Sequence, residues 1–212
     1  MNASRGNKGG DSRPRARFVR EAPDVRRQAL IEATARCLAE KGVGGTSVRA
    51  ICAQAGVSSG LLTHYYDGVD ALILATYVDV GTRVSAALDA AIQAAGDDPR
   101  DRLRACLQAN FREPILDPDL LATWIAFWSL VKSDSKIAAV HAEVYRGTRA
   151  QLEELLKAAA PALSPSQTRI AAISLTALVD GLWLELCLDR SAFSPDEAQA
   201  MVEVAMVKAL QI

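Results

Sequence analysis

The stretch that decides the fold lies between Thr46 and Tyr66 and reads TSVRAICAQAGVSSGLLTHYY. Its first part predicts a short helix, because apolar residues recur at the spacing of one helical face. Thr46 or Ser47 stands in the position of the N-cap of this helix. The residues of the apolar face are Val48, Ile51, Cys52 and Ala55.

The second part of the stretch predicts a tight turn and another short helix. Gly56 ends the first helix, because a residue without a side chain adopts the left-handed conformation without strain. Ser58 then caps the next helix. We expect its Leu61, Leu62 and Tyr65 to point inward. The outward residues are small or polar, namely Ser59, Gly60, Thr63 and His64.

Two short helices joined by a glycine-containing turn are typical of a helix-turn-helix, whose second helix enters the major groove of DNA. Small side chains allow that helix to approach the phosphates closely, and hydroxyl groups donate hydrogen bonds to phosphates or base edges. The alternative, from the turn alone, is an ordinary helical hairpin inside a core.

The same stretch closely resembles the DNA-binding signature of the TetR family of bacterial transcriptional regulators. The resemblance covers about residues 24–75 and rests on Thr46-Ser47-Val48-Arg49, Ile51, Ala55-Gly56-Val57-Ser58, Gly60-Leu61-Leu62 and His64-Tyr65-Tyr66. Two positions depart from the family pattern, since Val69 replaces a common phosphate-contacting lysine and Thr63 replaces a usual tyrosine. The motif and the resemblance together predict a DNA-binding set of Arg27, Thr46, Ser47, Arg49, Ser58, Ser59, Gly60, Leu61, Thr63, His64, Tyr65 and Tyr66.

Composition favours an all-α protein with a sizeable core. Of the 212 residues, 50% are hydrophobic and only 5% are aromatic, and no strand-like alternation of Val, Ile, Thr or Tyr occurs. The sequence has neither a long uninterrupted apolar run nor the apolar segment of a signal peptide, so we expect a cytoplasmic protein with no membrane partner. The four cysteines are widely separated, which predicts buried reduced thiols and no metal site.

Charge is divided unevenly along the chain. Residues 1–66 contain 11 Lys and Arg against 5 Asp and Glu, whereas residues 67–212 contain 13 against 20. The positive part coincides with the DNA-binding signature, as attraction to phosphate requires. Residues 1–22 are rich in Gly, Ser and Arg and predict a disordered basic arm, which either contacts DNA or only aids solubility.

We predict a helix-turn-helix domain over residues 23–68 and an effector-binding and dimerisation domain over residues 69–212. The first helix runs from Asp24 to Gly42, and the fourth runs from Asp67 or Asp70 to about Ala95 and connects the two domains. Most later helices begin at an Asp-Pro or Ser-Pro pair that supplies a cap and a proline in the first turn. They are predicted over residues 99–112, 118–131, 134–160, 165–189 and 195–211, which brings the total to nine.

The apolar pattern of the last two helices predicts an interface between two copies of the chain. The eighth is apolar nearly all round and therefore needs neighbours on more than one side, and the ninth carries one broad apolar stripe. In the TetR family these helices form the four-helix bundle of a dimer, so the resemblance implies the same here, with a palindromic operator that matches the two-fold symmetry. The predicted interface comprises Ile173, Ala177, Asp180, Gly181, Leu184, Leu188, Val202, Met206 and Ala209.

Aromatic residues are concentrated in the second domain and predict an effector pocket. Rings around a cavity bind a quaternary ammonium ion by cation–π attraction, and Asp180 offers a counter-charge. The alternative is that the rings are simply core and that Asp180 makes a salt bridge or hydrogen bond at the dimer seam. The candidate ligand-binding set is Tyr77, Phe111, Trp124, Phe127, Trp128 and Trp183.

A second resemblance covers most of residues 24–190. The segments Trp124-Ile125-Ala126-Phe127-Trp128 and Ala177-Leu178-Val179-Asp180-Gly181-Leu182-Trp183-Leu184 are similar to the BetI-type branch, repressors of the betaine pathway that respond to choline. It implies a dimeric repressor whose operator affinity falls when a small cationic effector binds, with the fourth helix as the lever. The alternative is a helical partner- or ligand-binding module without sequence-specific DNA binding.

Enzymatic activity is not expected. The sequence has two histidines, one in the predicted recognition helix and one, His141, among apolar residues. No nucleophile, base and orienting group can be assembled, and no HExxH, P-loop or GxGxxG motif occurs. We therefore expect no cofactor and no metal.

Overall fold

The computed structural model describes residues 23–211, and the predicted basic arm over residues 1–22 lies outside them. This part of the chain forms nine helices and no strand, which confirms the all-α prediction. The helices are α1 (Pro23–Gly45), α2 (Val48–Ala55), α3 (Ser59–Tyr65), α4 (Gly68–Ala94), α5 (Pro99–Ala109), α6 (Pro118–Leu130), α7 (Ser135–Ala159), α8 (Pro165–Leu188) and α9 (Pro195–Ala209).

The helix starts follow the capping residues that the sequence indicates. Asp98 and Asp117 accept hydrogen bonds from backbone N–H groups in the first turns of α5 and α6. Ser164 and Ser194 form complete capping boxes with the residues three positions later. The last five helices end one to three residues earlier than predicted. Their ends are harder to predict than their starts, because the sequence there carries weaker stop signals than start signals.

Helix α1 changes direction at its predicted end. Gly42 has φ 64° and ψ −173°, which breaks the regular helix, but helical structure continues for another turn to Gly45. The Thr46 hydroxyl then donates a hydrogen bond to the Gly42 carbonyl at 2.8 Å. The turn between α1 and α2 is therefore tied by a side chain.

A small hydrophobic cluster holds the first three helices together. It comprises buried residues of α1, α2 and α3 and the first turns of α4, namely Leu30, Ala33, Cys37, Ile51, Cys52, Leu62 and Leu72. Leu62 is completely buried, so it anchors α3 on the other helices and leaves the opposite face of α3 free.

A larger cluster joins α4 to α5–α9, with Leu38 of α1 at its edge. Helix α4 contributes Leu72 to the small cluster and Ile73 to the large one, so it runs through both. The predicted domain boundary between residues 68 and 69 remains a prediction, because α4 is a continuous helix from Gly68.

Helix α6 provides a second connection that the sequence did not indicate. It packs along α1, and the Thr123 hydroxyl donates a hydrogen bond to the Ala35 carbonyl at 3.0 Å. Thr123 is almost completely buried, so this bond lies inside the α1–α6 interface. Helix α6 is thus in direct contact with the first helix of the DNA-binding part.

Helices α4 and α8 are long and apolar enough, by length and composition, to resemble membrane spans. Their apolar character has another physical reason, because each packs against several neighbouring helices of the large cluster. Helix α8 in addition carries exposed apolar residues along one side, including Ile170 and Leu188.

Candidate DNA-binding surface and effector cavity

The turn between α2 and α3 has the geometry of a helix-turn-helix. The Ser47 hydroxyl accepts a hydrogen bond from the Ala50 N–H at 3.2 Å and caps α2. Gly56 ends α2 in the left-handed conformation, with φ 66° and ψ 32°. The Ser58 hydroxyl then accepts from the Leu61 N–H at 3.3 Å and caps α3.

The outer face of α3 is small and polar. Ser59, Gly60, Thr63 and His64 are exposed, as is Ser58 at the cap. Nothing lies within 4 Å of the position that a Cβ of Gly60 would occupy, so the surface here is open. A helix with these residues can approach a phosphate backbone closely and offer hydroxyl and imidazole groups to base edges.

An aromatic ring orients a cation beside α3. The Arg27 guanidinium of α1 lies 5.8 Å from the centroid of the Tyr65 ring, within the range of cation–π attraction. Burial raises the pKa of the neighbouring Tyr66 phenol, which Arg27 lowers by a smaller amount. Tyr65 is half-buried and Arg27 is exposed, so the Tyr65 ring holds Arg27 at the rim of the α3 face.

One predicted DNA-binding residue lies inside the fold. Thr46 is buried, and its hydroxyl is engaged by the Gly42 carbonyl, so we remove it from the DNA-binding set. Arg49 and Ser47 are exposed, whereas Leu61 is half-buried beside the anchor Leu62. Val69, where a lysine is common in the family pattern, is half-buried against both hydrophobic clusters.

A cavity of about 60 Å³ lies in the middle of the large cluster. Its walls come from α4, α5, α6, α7 and α8. One end carries aromatic and polar groups, namely Asn110, Trp124, Tyr145, Asp180 and Trp183. The remainder is mainly aliphatic, with Val84, Leu88, Cys106, Leu107, Leu152, Leu175 and Val179.

Tyr145 organises the polar end of the cavity. Its hydroxyl donates a hydrogen bond to Asp180 Oδ1 at 3.1 Å. It accepts hydrogen bonds from the indole N–H groups of Trp128, at 3.1 Å, and Trp124, at 3.4 Å. The Trp183 indole N–H donates to the Asn110 carbonyl at 3.0 Å. Each ring edge is therefore held by a hydrogen bond.

The buried carboxyl group at this end has an altered acidity. Burial raises the pKa of Asp180 to about 6, and the hydrogen bond from Tyr145 and the charge of Arg149 oppose the rise. Burial also raises the pKa of Tyr145, and the charge of Asp180 adds to that effect. Asp180 is thus mostly ionised at neutral pH, in a site where a negative charge is poorly solvated.

The predicted ligand-binding rings fall into two groups. Trp124 and Trp183 line the cavity, with ring centroids 5.9 Å apart in an edge-to-face arrangement. Tyr77 and Phe127 stack on each other at 4.3 Å and are completely buried outside it. Neither Phe111 nor Trp128 lines the cavity, although Trp128 bonds to Tyr145. None of these four lines the cavity, so their assignment as ligand contacts is corrected.

Comparison with known proteins agrees with this arrangement. Residues 30–76 match the bacterial regulatory proteins of the tetR family, and residues 99–210 match the C-terminal part of BetI-type transcriptional repressors. The HTH-type transcriptional regulator BetI of Burkholderia thailandensis is 35% identical over 182 residues, which cover 86% of this chain and 90% of that protein. The chain belongs to the TetR family. It is a helix-turn-helix transcriptional regulator of the BetI-like type.

Solved structures share the fold of this TetR-family regulator. One, assigned as a transcriptional regulator from Pseudomonas aeruginosa PAO1, is 43% identical, with a TM-score of 0.83 over 92% of this chain and 95% of that one. Another, from Saccharomonospora viridis in complex with choline, is 18% identical, with a TM-score of 0.74 over 85% and 94% of the two chains. The second likeness concerns the fold alone.

Family membership decides between the functions that the sequence left open. TetR-family proteins are transcriptional regulators that bind operator DNA and act as dimers, not a class of enzymes. The matches span both the DNA-binding part and the C-terminal part of this regulator. They therefore favour the regulator over a helical module without DNA binding. Within residues 23–211, no three His, Cys, Asp or Glu side chains cluster as a metal site.

The apolar surface of this regulator differs in part from the predicted dimer interface. Ile173, Ala177, Gly181, Leu184 and Leu188 are exposed on one side of α8. Val202, Met206 and Ala209, in contrast, are buried within the protomer, so their assignment to the interface is wrong. Asp180 faces the cavity, so it is also corrected. The exposed apolar residues of α9 are instead Met201, Val204 and Val207.

Two residues at the polar end of the cavity were missed from the candidate set, namely Tyr145 and Asn110. Tyr145 shares one face of α7 with His141 and Arg149, at four-residue spacing, and this face was the available signal. Its ring lies 4.3 Å from the His141 ring. Asn110 gave no signal, because its buried carbonyl meets Trp183 only when α5 and α8 pack together.

Proposed function

We propose that this regulator represses transcription by binding a palindromic operator as a dimer, and that a small quaternary ammonium compound lowers its operator affinity. One observation carries the effector proposal. The Asp180 carboxylate lies at the same end of the cavity as the rings of Trp124, Tyr145 and Trp183. Choline is a small compound of the proposed class.

The chemistry of this end suits a cation whose charged nitrogen carries no hydrogen-bond donor. Each aromatic face attracts a desolvated quaternary ammonium ion by about 2 kcal/mol or more. The Asp180 carboxylate is the nearby negative charge, and Tyr145 keeps it in place. The two indole N–H groups of Trp124 and Trp183 are engaged by Tyr145 and Asn110, so the rings present faces and not donors.

The size of the cavity supports a conformational response. At about 60 Å³ it admits a few water molecules, whereas an apolar cavity that binds benzene measures about 150 Å³. An ion of the size of choline therefore has to separate the surrounding helices. A ligand that binds the expanded state better than the closed state shifts the population towards the expanded state.

Two helices connect the cavity to the DNA-binding part. Helix α4 lines the cavity at Gly81 and Leu88 and also contributes Leu72 to the small cluster. Helix α6 lines it at Trp124, whose neighbour Thr123 is hydrogen-bonded to α1. We propose that movement of Trp124 is passed through Thr123 to α1, and that it changes the distance between the two recognition helices of a dimer.

The exposed apolar stripe is the proposed dimer interface. Its α8 side is formed by Ile170, Ile173, Ala177, Gly181, Leu184 and Leu188, and its α9 side by Met201, Val204 and Val207. Exposed patches of this kind mark interaction sites. The α8 residues repeat at three- and four-residue spacing, so two copies related by a two-fold axis can pack along the same face.

A fluorescence anisotropy titration tests the proposal. The purified protein is titrated against labelled DNA from upstream of its own gene, at two salt concentrations, with and without choline. We expect tight, salt-sensitive binding that choline weakens by about 5- to 150-fold, the range of ordinary allosteric coupling. Tight binding that is indifferent to choline and to related quaternary ammonium ions would refute the effector.

A second titration tests the DNA-binding surface. Replacing Ser59 and His64 by alanine should weaken operator binding, because both are exposed on α3. The matched control is Ser166→Ala, an exposed serine in the first turn of α8. Equal affinities for the α3 variant, the control and the unchanged protein would place the DNA contact elsewhere.

A further inference from the structure

Helices α4 and α7 are joined by hydrogen bonds at two places along their seam. Near one end, the Tyr77 hydroxyl and His141 Nδ1 are 2.8 Å apart. Towards the other end, Gln151 Nε2 donates to Asp89 Oδ1 at 2.5 Å. The bonded residues are 12 positions apart on α4 and 10 on α7, so the interval between them is about 15–18 Å long at 1.5 Å per residue.

Small side chains occupy the seam between these two hydrogen bonds. Gly81 and Ser85 of α4 face Val144 and Thr148 of α7. All four residues line the buried cavity, and the same four line an open groove of about 570 Å³ on the outside of the seam. Only one layer of small residues therefore separates the cavity from solvent here.

The contact between Val144 and Gly81 closes this interval. A Cβ added at Gly81 would lie 3.4 Å from Val144 Cγ2, so the glycine leaves space that the valine methyl partly fills. The opposite walls are thicker, because Trp124 packs on Trp183 and Tyr77, and Tyr77 stacks in turn on Phe127. Between the two hydrogen bonds, the seam is thus thinner than the wall that these rings form.

We propose that effectors reach the cavity through this α4/α7 seam and that Val144 is the gate. The inference rests on the proposed function in one respect, namely that the effector occupies the cavity. Val144 is β-branched and holds one preferred rotamer in a helix, so the gate opens when the valine leaves that rotamer or when α7 moves away from Gly81. The two hydrogen bonds limit the opening to the interval between them.

Cys106 supplies a test that does not depend on any effector. Its thiol lines the cavity and is buried. The reagent is 2-(trimethylammonium)ethyl methanethiosulfonate, which resembles choline in shape and charge. The Cys106 thiolate attacks the sulfenyl sulfur, forms a mixed disulfide with the trimethylammonium-ethyl thiol group and releases methanesulfinate. Burial raises the pKa of Cys106 to about 12, so the reaction is followed at mildly alkaline pH.

The modification rate of Cys106 is measured by mass spectrometry of its peptide in the full-length protein. Val144→Ala removes two methyl groups from the gate and should accelerate modification roughly tenfold, equivalent to about 1.4 kcal/mol of barrier. Gly81→Ala fills the space opposite Val144 and should slow it, although alanine also favours the helix. The matched control Val140→Ala removes two methyl groups from α7 outside this interval, at a residue that lines the outer groove but not the cavity, and should leave the rate near that of the unchanged protein.

Internal controls separate gating from unfolding. Cys37 and Cys52 are buried in the small cluster, so their modification reports global opening and should not change between the variants. If Val140→Ala accelerates the modification of Cys106 as much as Val144→Ala does, or if Gly81→Ala does not slow it, the seam is not the path. If the cysteine results are as expected but choline does not change operator binding, the entry path through the seam is supported and choline is refuted as the effector.

Discussion

The substitution Asp180→Asn tests the charge complementarity of the cavity while preserving its shape. Asparagine retains an oxygen that can accept the hydrogen bond from Tyr145, so the polar end should stay assembled. The loss is one negative charge. At about 5 Å, the approach that methyl groups on a quaternary nitrogen permit, and at an effective dielectric constant of about 20, two unit charges attract each other by about 3 kcal/mol. This energy corresponds to a loss of choline affinity of about a hundredfold.

The assay is isothermal titration calorimetry of choline at pH 7.5, combined with operator anisotropy at saturating choline. We expect weaker choline binding by Asp180→Asn but unchanged operator affinity without choline, because Asp180 lies far from α3 in the fold. The control is Asp97→Asn, which removes one exposed charge from the loop between α4 and α5. Equal choline affinities for Asp180→Asn and Asp97→Asn would refute the reasoning.

Four further predictions concern the acidity of Asp180, the bond of Thr123 and the exposed face of α8. Because burial raises the Asp180 pKa from its ordinary value of 3.8 to about 6, choline affinity should fall about tenfold between pH 7 and pH 5, and Asp180→Asn should abolish this dependence in calorimetry. The same raised pKa gives the folded protein a stabilisation that is fully present below pH 3.8 and is lost as the pH rises through about 6. Asp180→Asn should therefore raise the free energy of unfolding at pH 7 by up to about 3 kcal/mol; no gain in urea titrations would contradict this. Thr123→Val removes the hydrogen bond to α1. It should leave choline affinity unchanged but alter, by about 0.5–2 kcal/mol, the amount by which choline lowers operator affinity. The control Thr82→Val removes only a hydrogen bond within α4. Ile173→Glu places a charge on the exposed α8 stripe and should produce monomers in sedimentation equilibrium, unlike Val78→Glu at a similarly exposed valine of α4.

The DNA-binding part could be predicted almost residue by residue, because its determinants are local. Ser47, Gly56 and Ser58 act on backbone groups within four positions of themselves, and the structure shows each of these roles. Leu62 could be placed inward from helical periodicity alone. Thr46 was the exception, since its hydroxyl is taken up by Gly42 across a turn whose geometry depends on a positive φ angle.

The cavity could be predicted only in part. The concentration of aromatic residues indicated a ring-lined pocket, and Trp124 and Trp183 do line the cavity. The sequence could not separate them from Tyr77 or Phe127, because all four are buried rings at helical spacing. Which ring faces empty space and which faces another ring depends on how α4, α6 and α8 cross.

The sequence by itself determined the helices, their caps, the helix-turn-helix and the family, because these depend on short-range spacing and on residue types at matched positions. The tertiary structure alone decided the faces of the last two helices. Val202 and Met206 lie on an apolar stripe of α9 that is equally compatible with burial in the core and with contact to a partner. They are buried within the protomer, whereas Ile173 of α8 is exposed. An apolar residue has no preference between the two environments, since both remove it from water. Which environment each apolar residue occupies depends on how the helices of one protomer pack together.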